Sequence, residues 1–146
     1  CKKAKSAGLE PHLTVMFGYP WEKKEHAQRT IELSEFLLKK GYADTIQATL
    51  IIPYPGTSMF EEARRNGQLK TTDWDRYDMS EPVMKTPIKD EDIMEMIQKV
   101  YRVALNQEFI ARRILGIRSV DDVKFMLRAV KKVWGQIRYW KLRSEN

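Results

Sequence analysis

Apolar and polar positions alternate along the chain with two different periods, and the periods change at glycines and prolines. His12 to Phe17 is a short run of β-branched, apolar and aromatic residues between Pro11 and Gly18, the pattern of a buried strand. From Glu22 to Lys40 the period lengthens: Ala27, Ile31, Ser34 and Leu38 recur on one face, with Leu37 beside them and charges elsewhere. That spacing predicts an amphipathic helix, stopped at Gly41. A second apolar run, Thr45 to Ile52, ends at Pro53. Strand, helix and strand in this order predict two parallel strands joined by a right-handed crossover. Ligand-binding loops of such units lie at the C-terminal ends of the strands.

Further on, Met59 to Asn66 reads as a short helix closed by Gly67, and Leu69 to Thr86 as an ordered loop rich in Trp, Tyr, Met and Asp. Asp90, Glu91 and Asp92 set negative charge at a helix start, after which Ile93, Ile97, Val100 and Ala104 share one face. A last helix is predicted from Ser119, with Met126, Val130, Val133, Ile137 and Trp140 as its apolar stripe. At the other end, Lys2 to Leu9 resembles the close of a basic helix, ended by Gly8. Because the chain opens on Cys rather than Met and within an element, a fragment of a longer polypeptide is expected.

Composition narrows the picture. The 146 residues, 42% hydrophobic, suffice for one domain with a core. There is no run of about 20 apolar residues and no secretory signal pattern, so a cytoplasmic protein without a membrane span is expected. A single cysteine, Cys1, excludes an internal disulfide and a cysteine-ligated metal site built from this chain alone. The net charge of +6 belongs to the tail, which from Ala111 onward holds ten Lys and Arg against three Asp and Glu.

Two segments stand out chemically, and both follow strands. In Gly18-Tyr19-Pro20-Trp21-Glu22, glycine removes side-chain bulk ahead of a helix start, where a ligand can approach main chain. In Pro53-Tyr54-Pro55-Gly56-Thr57, two prolines stiffen the exit of the second strand, and Gly56-Thr57 turns the chain and caps the next helix. Each taken singly is also an ordinary turn. The remaining candidates are weaker. His12 and His26 have no second ligand at metal-compatible spacing, and Asp73, Asp75, Asp78 and Glu81 lack the glycine and spacing of a calcium loop. Trp74, Tyr77, Trp134, Tyr139 and Trp140 read as core aromatics.

The stretch Gly8 to Gly67 resembles the second half of the radical S-adenosylmethionine (SAM) barrel. The likeness is carried by Thr14 to Glu22, Ile51 to Thr57 and Glu61-Glu62-Ala63-Arg64-Arg65-Asn66-Gly67. More narrowly it is similar to cobalamin-binding radical SAM proteins related to the anaerobic magnesium-protoporphyrin IX monomethyl ester oxidative cyclases. The resemblance implies an α/β fold: part of a parallel (β/α) barrel over residues 1–87, followed by a helical C-terminal segment over 88–146. It implies that Phe17, Gly18 and Glu22 pack against SAM, although the first half of that family element is not matched. Ile51, Ile52 and Pro53 would contact the adenine through backbone, and Tyr54 would face the substrate cavity.

The parent enzyme would use SAM, a 4Fe–4S cluster and cobalamin to oxidise a tetrapyrrole-like substrate, or, as the runner-up, to transfer a methyl group. The family's three-cysteine cluster motif is absent, so the fragment alone is expected to be inactive, to bind no metal and to contribute no catalytic residue. Its expected partner is the missing N-terminal half of the same polypeptide, and exposed sheet edges suggest self-association. From another class comes a basic helical module, Ser119 to Arg143, binding nucleic acid or a membrane surface; a solvated charged face is the plainer account, and no nucleic-acid partner is expected.

Overall fold

The computed structural model describes residues 1–104 together with residues 111, 124, 127, 128 and 131. The chain divides into two units, Cys1–Phe109 and Ile110–Asn146. In the first unit the order is α1 (Lys2–Ser6), β1 (His12–Phe17), α2 (Lys24–Lys39), β2 (Thr45–Leu50), α3 (Ser58–Arg65), a 3-10 turn at Trp74–Arg76 and α4 (Asp90–Ala104).

β1 and β2 pair in parallel, from His12 opposite Thr45 to Phe17 opposite Leu50. The α/β unit with a crossover helix is therefore as the sequence predicts. The described residues form this two-stranded sheet, and no barrel is present among them. The sheet's two faces differ. Phe17, Ala48 and Leu50 are buried, whereas His12, Thr14, Met16 and Gln47 are exposed, Met16 at 42%. The expectation of a buried strand thus holds for one face only: Thr14 and Met16 sit at alternate positions that no helix among the described residues covers.

The covered face meets α2 and α4, which also pack on each other. α2 contributes Ala27, Ile31, Ser34 and Leu38, the stripe its sequence predicts, and α4 contributes Ile93, Met96, Ile97 and Val100. Phe17, Ile31 and Ile93 are at most 1% exposed, so truncating one to Ala costs about 2–5 kcal/mol through lost transfer energy and a residual cavity. α2 begins at Lys24, two residues later than predicted, because the Glu22 N–H is held in a turn by the Tyr19 carbonyl at 3.0 Å. β2 likewise ends at Leu50 rather than Ile52.

The free edge of β2 and the N-terminal end of the sheet are both tied down. On β2 the Tyr101 hydroxyl, from α4, accepts the Ala48 N–H at 3.2 Å and donates to the Ala48 carbonyl at 3.0 Å. It thereby satisfies main-chain groups that would otherwise template another strand. At the N-terminal end of the strands, the Asp44 N–H bonds the Pro11 carbonyl at 2.9 Å and Lys5 pairs with Asp44 at 2.6 Å. The long segment after α3 is ordered as predicted. Lys70 N–H to Val83 carbonyl and Lys85 N–H to Gln68 carbonyl pinch its ends, so that Val83 and Met84 enter the core.

In the second unit, Lys124, Leu127, Arg128 and Lys131 are helical and exposed, with spacings that share a helix face. The rest of the predicted Ser119–Arg143 helix, with Trp134, Tyr139 and Trp140, lies outside the described residues. Among the described residues no helix is long and apolar enough to cross a membrane.

Candidate functional site

Both unusual loops leave the sheet at one end. β1 runs into Gly18–Glu22 and β2 into Ile51–Thr57, and the Ile51 N–H donates to the Phe17 carbonyl at 2.9 Å. That single bond extends the parallel ladder past β2 and fixes the start of the second loop against the start of the first. Phe17, Gly18, Ile51 and Ile52, which the sequence singles out, are thus neighbours.

The first loop is closed on itself. Gly18 has φ of +92°, a conformation that L side chains rarely adopt. A Cβ at this position would lie 3.7 Å from Ile51 Cγ2 and 3.8 Å from Ile93 Cδ1, ordinary contact distances, so it is the backbone conformation rather than lack of room that calls for glycine. The Gly18 N–H donates to Glu22 Oε2 at 2.7 Å, and Glu22 is only 7% exposed. Glu22 therefore holds the shape of the turn, with one carboxylate oxygen committed to main chain. Phe17 is fully buried beneath it.

The second loop is built otherwise. Pro53 is fully buried and Ile52 nearly so, which anchors the exit. Thr57 then locks the turn into α3: its hydroxyl donates to the Tyr54 carbonyl at 2.7 Å and accepts the Phe60 N–H at 3.2 Å, the cap that the sequence predicts. Between these anchors, the N–H and C=O of Ile52 have no hydrogen-bond partner among the described residues. Tyr54 is 45% exposed and its hydroxyl reaches the Tyr77 carbonyl at 3.4 Å. Tyr77 is buried, stacks edge-on with Trp74 at 5.0 Å, and donates to the Thr71 carbonyl at 3.0 Å. Burial pushes its phenol above the ordinary tyrosine value. Of the predicted core aromatics, Tyr77 is core, whereas Trp74 is 53% exposed and leans on Phe60.

A cleft of about 330 Å³ lies beside these loops, with Pro20 and Trp21 on one side and Ser58, Met59, Glu62 and Gln68 on the other. Sequence reasoning missed it, because the cleft exists only once α3 is placed beside the first loop. The other candidates have structural duties. His12 Nδ1 is 2.7 Å from the Thr45 hydroxyl, and His26 Nδ1 lies 3.4 Å from the Lys23 N–H at the start of α2. Asp73 and Asp78 accept backbone N–H bonds, and Glu81 pairs with Arg76 at 2.7 Å, which raises the Arg76 pKa. No three His, Cys, Asp or Glu side chains converge on a metal position among the described residues, and Cys1 is exposed.

The chain is similar to an uncharacterized methyltransferase from Pyrococcus horikoshii: 36% identical over 101 residues, which is 68% of this chain and 21% of that protein. The chain thus spans about a fifth of the relative's length. No family model and no solved structure matches it.

Proposed function

We propose that this chain is the nucleoside-holding part of a larger SAM-using enzyme whose reaction is methyl transfer. The observation that carries the reading is the main chain of Ile52, which has no partner among the described residues and follows Ile51, bonded to Phe17, at the C-terminal end of a parallel strand pair. A buried backbone N–H and C=O on one stiff segment match the donor and acceptor edge of an adenine, and an unpartnered buried polar group is costly unless a ligand or water completes it. Phe17 and Pro53 fix the segment from below, Glu22 fixes the turn facing it, and Tyr54 stands exposed at the rim toward the substrate.

Methyl transfer is adopted over oxidative ring closure because the similar protein from Pyrococcus horikoshii bears a methyltransferase name. SAM supplies the methyl group when bound. Among the described residues no three His, Cys, Asp or Glu side chains could hold a metal ion, and no step is assigned to a 4Fe–4S cluster or a cobalamin.

Calorimetric titration of the chain with S-adenosylhomocysteine tests the site. One saturable equivalent is expected, weakened at least tenfold by Ile52→Pro, which removes the donor N–H, with an unchanged far-UV spectrum separating lost binding from lost fold. Absence of binding at millimolar ligand would overturn the reading. For the reaction, the longer polypeptide is expected to transfer label from methyl-labelled SAM to an acceptor; a ring-closed product without label would assign it to the cyclases instead.

A further inference from the structure

The cleft between the first loop and α3 has a chemistry of its own. Its wall carries an indole, a thioether and one carboxylate, with a hydroxyl and an amide at its sides, and among the described residues no cationic side chain lines it. Trp21 is 64% exposed, yet it is not loose: its ring lies against Tyr19 with centroids 5.1 Å apart, and the Tyr19 hydroxyl reaches the Met16 sulfur at 3.8 Å. Large aromatic surface is thus kept in the open and held in place.

The neighbouring carboxylates make the contrast. Glu61 is neutralised by Arg64 at 2.8 Å, one turn along the same face of α3. Glu62, one residue on, points into the cleft, and its carboxylate has no partner among the described residues. The side chains of Ser58 and Gln68 likewise have no hydrogen-bond partner among the described residues, although the Gln68 backbone is bonded on both sides, to Ala63 at 2.8 Å and to Lys85 at 2.7 Å. Three polar groups therefore converge on the cleft from rigid backbone, facing an aromatic wall.

We propose that this cleft binds a small organic cation, an ammonium group carried on an apolar body. The indole takes the apolar body and attracts the cation through its ring quadrupole, for which Trp is the best of the aromatic residues. Glu62 supplies the opposite charge, and Ser58 and Gln68 accept the remaining N–H bonds. The volume of about 330 Å³ is at the small end of ligand sites, which fits a compact amine. The inference does not depend on nucleoside binding or on methyl transfer.

The test is an NMR titration of the chain at pH 7 with phenethylamine, which is protonated there, and with 2-phenylethanol, which has the same ring and no charge. Phenethylamine is expected to shift the Trp21 indole N–H and the amides of Ser58 and Glu62, and to bind at least threefold tighter than the alcohol. Glu62→Gln, a surface change that spares the core, is expected to cut that preference at least twofold, while Trp21→Ala weakens both ligands about two- to fivefold. Equal affinity for the two probes, a preference undiminished by Glu62→Gln, or no saturable shift at Trp21 with either probe would each overturn the proposal.

Discussion

The two loops that leave the sheet at the same end use their polar groups in opposite ways. Gly18–Glu22 satisfies itself: the buried Glu22 carboxylate accepts the Gly18 N–H, and the Tyr19 carbonyl accepts the Glu22 N–H. Ile51–Thr57 is anchored at both ends, by Pro53 in the core and by the Thr57 cap, and leaves the Ile52 main chain without a partner among the described residues. Beside the first, closed loop, the second has groups to offer a ligand. The contrast teaches that a glycine turn after a strand is not by itself a ligand cradle; what matters is whether its N–H groups are already engaged.

If that division is right, substitutions in the first loop act on stability and those in the second act on binding. The largest effect is expected from Gly18→Val, which forces a β-branched residue to φ of +92° against Ile51 and Ile93; a loss of about 3 kcal/mol in urea unfolding is predicted. Glu22→Ala leaves a buried N–H without its acceptor and should cost about 2 kcal/mol by the same measurement. Thr57→Ala removes an N-cap and should cost about 1 kcal/mol. Tyr54→Phe, on an exposed side chain with one long hydrogen bond, should change stability by less than about 0.5 kcal/mol. A Glu22→Ala variant as stable as the parent would show that the first loop does not depend on its internal bond.

Much of this was legible in residue order. The stripe Ala27, Ile31, Ser34 and Leu38 repeats at the helical period, so the buried face of α2 follows from spacing alone. Thr57 as a cap follows from its place after Gly56 and before an apolar-periodic segment. Three features were not legible, each for a physical reason. Glu22 bonding Gly18 is a contact inside an irregular turn, which leaves no periodic trace. The exposed face of β1 is hidden in the run Thr-Val-Met-Phe, because Thr and Met suit a covered or an open position equally well. The closure of the β2 edge depends on Tyr101, 53 residues beyond Ala48, and the Trp21–Glu62 cleft on the placement of α3; both are tertiary events. The place of both loops at one end of the sheet follows from the strand–helix–strand order, while no barrel is present among the described residues.

The most direct test of the central claim is to map the footprint of S-adenosylhomocysteine on the amide spectrum of the chain. Shifts concentrated at Gly18, Ile51 and Ile52, with the Ile52 amide moving furthest, are the result expected if unspent main chain at the second loop receives the nucleoside. A footprint that spares Ile52, or that centres on the Trp21–Glu62 cleft, would contradict it.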